Sequence, residues 1–280
     1  MFNNVLVGVD GRPYGRDAIA LASRLKGPEG RLTLAFAHGG SLTEDLEASS
    51  KLLEQERVTA DVEADLVSVL AASPGRGLHE QAEKQDADLL VVGSCSHSSF
   101  GRAMLGDDTR AALNGAPCAV AIASRGFAQR SEPIAKVGVA YNGSPESDTA
   151  LAVARQLATA TGASVHALEV VSLPSVAYVG IVAPAIGDTI DALLQEASAR
   201  MRQLSGVEGR AAYGLTGEEL AAFSDEVDLL VVGSRGYGPA KRLVLGSTSN
   251  YLERHARCSL LVLPRLASPG EDAADSQRSE

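Results

Sequence analysis

The sequence predicts an α/β protein of two related units, each a five-stranded parallel sheet with helices on both faces. Three observations predict it. Asp88-Leu89-Leu90-Val91-Val92-Gly93-Ser94 recurs letter for letter as Asp228-Leu229-Leu230-Val231-Val232-Gly233-Ser234, at an offset of 140 residues. Short apolar runs alternate with helix-length segments in both halves, the pattern of βαβ units. Leu89–Val92 and Leu229–Val232 are apolar without alternation, as a strand covered on both faces must be.

Each unit opens on a short apolar run bounded by glycine (Val5–Val9; Val137–Tyr141), too short for a helix and read as a buried strand. A helix follows. Over about Gly15–Leu25 the stripe Ala18, Ile19, Leu21, Ala22 and Leu25 has helical spacing. In the second unit Ser147 is the expected cap of a helix over about Asp148–Thr161. Strand two is read at Leu32–Ala37 and Ser164–Val171, and the next helix at about Glu44–Val58 and Asp188–Leu204. A weaker strand three (Val62–Val69; Glu208–Tyr213) leads to a helix at about Gly77–Gln85 and Gly217–Ser224. Strand four is the repeated heptapeptide. A last helix (Asp107–Asn114; Ser247–Arg257) leads to strand five, Cys118–Ala123 and Cys258–Leu263.

The repeat sets the expected domains: 1–125 and 135–265, a linker over 126–134, and a small, polar, acidic tail over 266–280 that is expected to be disordered. At the unit starts the offset is only 132, pairing Val9-Asp10-Gly11-Arg12-Pro13 with Tyr141-Asn142-Gly143-Ser144-Pro145. The second unit therefore carries an insertion, placed in the Pro-, Gly- and Ser-rich stretch 171–187.

The formal charge is −10 over 280 residues, which argues against nucleic acid and anionic membrane as partners. Three cysteines form no disulfide framework. Val5–Val9 is interrupted by Gly8 and too short for a signal peptide, and no run approaches a membrane span, so the expected location is cytoplasmic.

Ligands of such sheets bind at the carboxyl ends of the strands. After strand four of the second unit the chain reads Gly233-Ser234-Arg235-Gly236-Tyr237-Gly238, and then Gly246-Ser247-Thr248 opens a helix. Glycines let backbone N–H groups approach a phosphate, and a helix N-terminus favours an anion. Arg235, Lys241 and Arg242 add local positive charge. The same glycines would also serve plain strand-to-helix turns. The spacing matches neither a Walker A loop nor a Gly-x-Gly-x-x-Gly dinucleotide loop.

The spacing Gly233-x2-Gly236-x9-Gly246-Ser247 after Asp-Leu-Leu-Val-Val resembles the ATP-binding signature of universal stress proteins. The Val-x-Val-Asp-Gly start of the first unit agrees with it. The resemblance covers both halves and implies a tandem protein of two flavodoxin-like (adenine nucleotide alpha hydrolase-like) domains. It implies ATP lying across strands one, two and four. Gly233, Ser234, Gly236, Gly246, Ser247 and Thr248 match the phosphate-holding positions, with Arg235 in the same loop. Val170 matches the position whose backbone reads the adenine edge. Asn142 stands where the family usually has an acid facing the ribose, which removes a charge-assisted bond.

The first unit keeps Asp10, but Ser96 replaces the second glycine and Asp107 the helix-opening serine. Carboxylates there would satisfy the helix N-terminus and repel phosphate, so only the second unit is expected to bind ATP. No residue is positioned to activate water, so no enzyme is expected. The alternatives are a slow ATPase, or a nucleotide-free interaction module built on the apolar segment Pro174–Gly187. Cys95 and His97 have too few neighbouring ligands for a metal site. Cys118 and Cys258 are read as buried small residues, Asp88 and Asp228 as turn-setting, and Lys51, Glu54, Glu56 and Arg57 as a solvated helix face. Strand five is an apolar edge in each unit and must be covered. The resemblance implies that the two units pair through it, and a homodimer is a further arrangement.

Overall fold

The chain alternates strand and helix from its first residues, and each βα turn carries its own punctuation. The structure, a computed structural model, describes residues 1–39, 44–94, 114–172, 183–234, 243 and 246–265. The first unit contains β1 (Phe2–Gly8), α1 (Pro13–Leu25), β2 (Lys26–His38), α2 (Glu44–Ala60), β3 (Asp65–Leu70), α3 (Pro74–Lys84), β4 (Leu89–Gly93) and β5 (Ala119–Ala123). The second contains β6 (Lys136–Ala140), α4 (Pro145–Thr161), β7 (Ser164–Val171), α5 (Ala183–Arg202), β8 (Glu208–Tyr213), α6 (Thr216–Phe223), β9 (Leu229–Gly233), α7 (Ser247–His255) and β10 (Ser259–Leu263). The expected helix at Asp107–Asn114, apart from Asn114 itself, and most of the segment Pro174–Gly187 lie outside the described residues.

Each unit is a doubly wound, flavodoxin-like α/β domain. Its strand order is β3-β2-β1-β4-β5 in the first and β8-β7-β6-β9-β10 in the second, parallel throughout. The order reverses between β1 and β4, and between β6 and β9, which opens a crevice at the carboxyl ends there. β5 and β10 lie antiparallel, with Ala121 opposite Leu261, so all ten strands form one sheet. The Ser124 N–H donates to Ser259 Oγ (3.1 Å) across that seam. Two apolar cores, one on each face, run through both units. Val7, Ile19, Leu34, Val139 and Leu261 belong to one. Leu6, Leu90, Leu230, Leu252 and Val262 belong to the other.

The heptapeptide repeat has a structural cause. The Asp88 carboxylate accepts from the N–H groups of Asn3 (2.7 Å) and Asn4 (2.9 Å). The Asp228 carboxylate accepts from those of Ala135 and Lys136 (2.9 Å each). Each aspartate thus ties the start of strand four to the start of strand one. Residues 126–130, read from sequence as the start of a linker, are anchored too. The Asp17 carboxylate accepts from Gly126 N (2.9 Å) and Ala128 N (2.8 Å), and Phe127 is buried.

Several expectations are corrected. α4 is capped by Ser144, whose Oγ accepts from Ser147 N (3.2 Å), not by Ser147. Pro145 opens the helix because its missing N–H costs nothing in the first turn. Ser73 caps α3 likewise and Pro74 opens it, so that helix begins three residues before Gly77. β2 starts at Lys26 rather than Leu32, pairing with Phe2 through an irregular register. α5 starts at Ala183 and takes in the end of the inserted stretch. Glu56 is not on a solvated face: its side chain is 3% exposed and bonded to Arg16, Nε to Oε2 at 2.9 Å and Nη2 to Oε1 at 3.1 Å.

Cys118 and Cys258 are buried, and burial pushes both thiols up to about 12 from an ordinary value of 9.0. The thiol, not the thiolate, is the stable form in the folded chain. Alkylation of native protein near pH 8, read by peptide mass spectrometry, is therefore expected to leave both unmodified, and denaturant to expose both. Each raised value also means stability that is complete below pH about 9 and is lost as the pH rises toward 12. The double variant Cys118→Ala/Cys258→Ala is expected to lose stability less steeply in that window.

Candidate functional site

The crevice at the carboxyl ends of β6, β7 and β9 is a cleft of about 640 Å³, within the range of small-molecule sites. One wall is the β6–α4 loop. Gly143 sits at φ +76°, a conformation that favours glycine. The Asn142 carbonyl oxygen Oδ1 accepts from Ser144 N (3.1 Å), which folds the loop back on itself. Asp10 does the same in the first unit, accepting from Arg12 N (3.0 Å). The floor is Leu168 and Val170, with Val170 half-buried at the end of β7. Thr216 and Leu220 of α6 form the opposite wall.

The far end is built by β9 and α7. At Gly233 a Cβ would lie 2.8 Å from Glu146 Cβ and 2.9 Å from the Glu146 carbonyl oxygen, so glycine is what lets α4 reach the strand end. Ser234 is 7% exposed, and its hydroxyl oxygen is buried with no hydrogen-bond partner among the described residues. A buried unpaired hydroxyl costs free energy on the order of 1–3 kcal/mol, a cost that a ligand oxygen would remove. α7 opens on Gly246, which offers no side chain to its first-turn N–H groups. Thr248 and Ser249 of that turn line the cleft. A strand end and an uncapped helix start on the same cleft suit an anion.

Of the residues singled out from sequence, Asn142, Val170, Gly233, Ser234 and Thr248 line this one cleft. Gly246 and Ser247 open the helix beside it, with Ser247 exposed. Arg235 and Gly236 lie outside the described residues, as do Ser96 and Asp107 of the first unit. The wall from Thr216 and Leu220 was not anticipated, because α6 carries no phosphate-binding signature. Tyr141 also lines the cleft; its hydroxyl donates to Asp148 Oδ1 (2.7 Å), which raises its pKa. In the first unit Ser94 Oγ is likewise buried and, among the described residues, unpartnered, so the serine alone does not separate the two units.

Two carboxylates near the cleft, Glu169 and Glu196, are held in ion pairs with Arg200. Glu169, buried on β7, accepts from Arg200 Nε (3.1 Å) and Nη2 (2.9 Å), and Arg200 Nη1 reaches Glu196 (3.4 Å). The Glu169 hydrogen bond raises the Arg200 pKa further, so that charge is permanent. Among the described residues no helix is long and apolar enough to cross a membrane.

Comparison with known proteins agrees with this architecture. A universal stress protein from Mycobacterium tuberculosis H37Rv, Rv2005c, is 30% identical over 233 residues, covering 77% of this chain and 74% of its own. The crystal structure of a universal stress protein from Archaeoglobus fulgidus has a TM-score of 0.65 at 19% identity, covering 94% of this chain and 98% of that one. A functionally unknown protein from Pseudomonas aeruginosa PAO1 has a TM-score of 0.68 at 17% identity, covering 94% and 92%. The model of the universal stress protein family matches twice, at residues 1–124 and 133–264. With the fold repeated in each half and both halves matched, this chain belongs to the universal stress protein family.

Proposed function

We propose that the second unit binds ATP in the cleft between Asn142, Val170, Gly233 and the start of α7, and that the protein acts in the stress response through nucleotide-dependent conformation or partner binding. The observation that carries this reading is the buried Ser234 hydroxyl, unpartnered among the described residues, at the strand end that shares a cleft with the uncapped Gly246 helix start. When bound, the nucleotide brings charge and rigidity. Ser234, Thr248 and the first-turn N–H groups of α7 would hold its phosphates, and Val170 would lie against the base. Occupancy then favours whichever conformation binds the nucleotide better. The role proposed is binding rather than catalysis. The domains proposed are 1–125 and 135–265, paired through β5 and β10, and the location proposed is the cytoplasm.

Titration calorimetry of ATP into the full chain tests the reading. One ATP per chain is expected. Two equivalent sites, or none, would contradict it.

A further inference from the structure

The chain leaves β9 at Gly233 and enters α7 at Gly246, so both sides of the cleft's far end hang on the stretch between them. That stretch is fastened to the other unit. Leu243 donates its backbone N–H to the Ala116 carbonyl oxygen (2.9 Å), and the Leu243 carbonyl oxygen accepts from Gly115 N (2.9 Å). Gly115 and Ala116 belong to the first unit, in the turn that leads into β5. The side chain is fastened as well. Leu243 is fully buried, in the core that it shares with Ala116 and Cys118 of the first unit and Leu252 of α7. Gly115 sits at φ +88°, so the turn that makes this bridge depends on glycine.

Leu243 lies three residues before Gly246, a span of at most about 11 Å. A ligand that draws in the first turn of α7 therefore pulls on a point held by the first unit. The reverse also holds. Loosening that point gives the helix start a freedom that a ligand must then remove.

Resting on the nucleotide reading above, we infer that the first unit is a working part of the second unit's site: through the bridge from Leu243 to Gly115 and Ala116, ATP occupancy and closure of the bridge stabilise each other. The first unit then serves the site without a nucleotide of its own. Ala116 stands three residues before Ala119, where β5 begins, so occupancy is felt at the seam between the units. Linkage makes the coupling reciprocal: the factor by which ATP favours the closed bridge is the factor that opening the bridge removes from ATP affinity.

Hydrogen exchange on the full chain, with and without saturating ATP, tests this. The Gly115 amide is expected to exchange at least about fivefold more slowly with ATP, beyond any change at Leu90, a core amide of β4 in the same unit. Calorimetry on Gly115→Val is the second measurement. Valine is strained at φ +88°, so the turn must give way, although Gly115 does not line the cleft. ATP is expected to bind this variant about tenfold more weakly, and a thermal melt checks its fold. Slowed exchange in α7 without excess slowing at Gly115, or native affinity in folded Gly115→Val, overturns the inference and leaves the nucleotide site standing. If Gly115→Val does not fold, exchange on the native chain decides alone. If ATP does not bind the native chain, the nucleotide reading is wrong and the inference falls with it.

Discussion

Ser247→Asp is expected to weaken ATP binding about 30-fold without loss of stability. The substitution copies the first unit, where Asp107 holds the equivalent position at the same offset of 140. Ser247 is exposed at the first position of α7, so the new side chain displaces nothing. A carboxylate about 5 Å from a phosphate oxygen, at an effective dielectric of about 20, interacts by roughly 3 kcal/mol. Solvent screening at an exposed position brings this to about 2 kcal/mol, or about 30-fold. The same charge at a helix N-terminus stabilises the helix by about 0.3–1 kcal/mol. Affinity and melting temperature should therefore move in opposite directions. Calorimetry and a thermal melt on one preparation read both, and unchanged affinity would remove the phosphates from α7.

Arg16→Ala is expected to destabilise the first unit by about 2–3 kcal/mol. Its partner Glu56 has a side chain only 3% exposed, and both of its oxygens are bonded by the guanidinium. Removing the arginine leaves a carboxylate that has lost both water and partner. Breaking a fully buried pair costs about 3–5 kcal/mol; Arg16 is 43% exposed, so the lower figure applies. The pair Arg16→Met/Glu56→Met is expected to recover most of the loss, because it removes both charges and keeps volume. Urea unfolding near pH 7 measures all three. A loss under about 0.5 kcal/mol for Arg16→Ala would make this an ordinary surface pair.

The order of elements was legible because each strand is short, apolar and punctuated, and because the chain states its plan twice. The Asp88 and Asp228 repeat was visible as a motif, and its role as a clamp on strand one follows once β1 and β4 are neighbours. Loop ends were less legible. Ser144 and Ser147 are both acceptable caps by type, and only the proline between them decides. Glu56 looks solvated on its own helix, since nothing local records that Arg16 of α1 pairs with it. The cleft was half legible. Asn142, Gly233, Ser234 and Gly246 carry backbone constraints that mark a sequence, whereas Thr216 and Leu220 contribute only surface, which leaves no signature.

The most direct measurement is the structure of the full chain in complex with ATP. The account predicts the base against Val170, the ribose beside Asn142, and the phosphates between Ser234 and the start of α7. Nucleotide held in the first unit beside Asp10 and Asp107, with the Gly246 turn untouched, would contradict it.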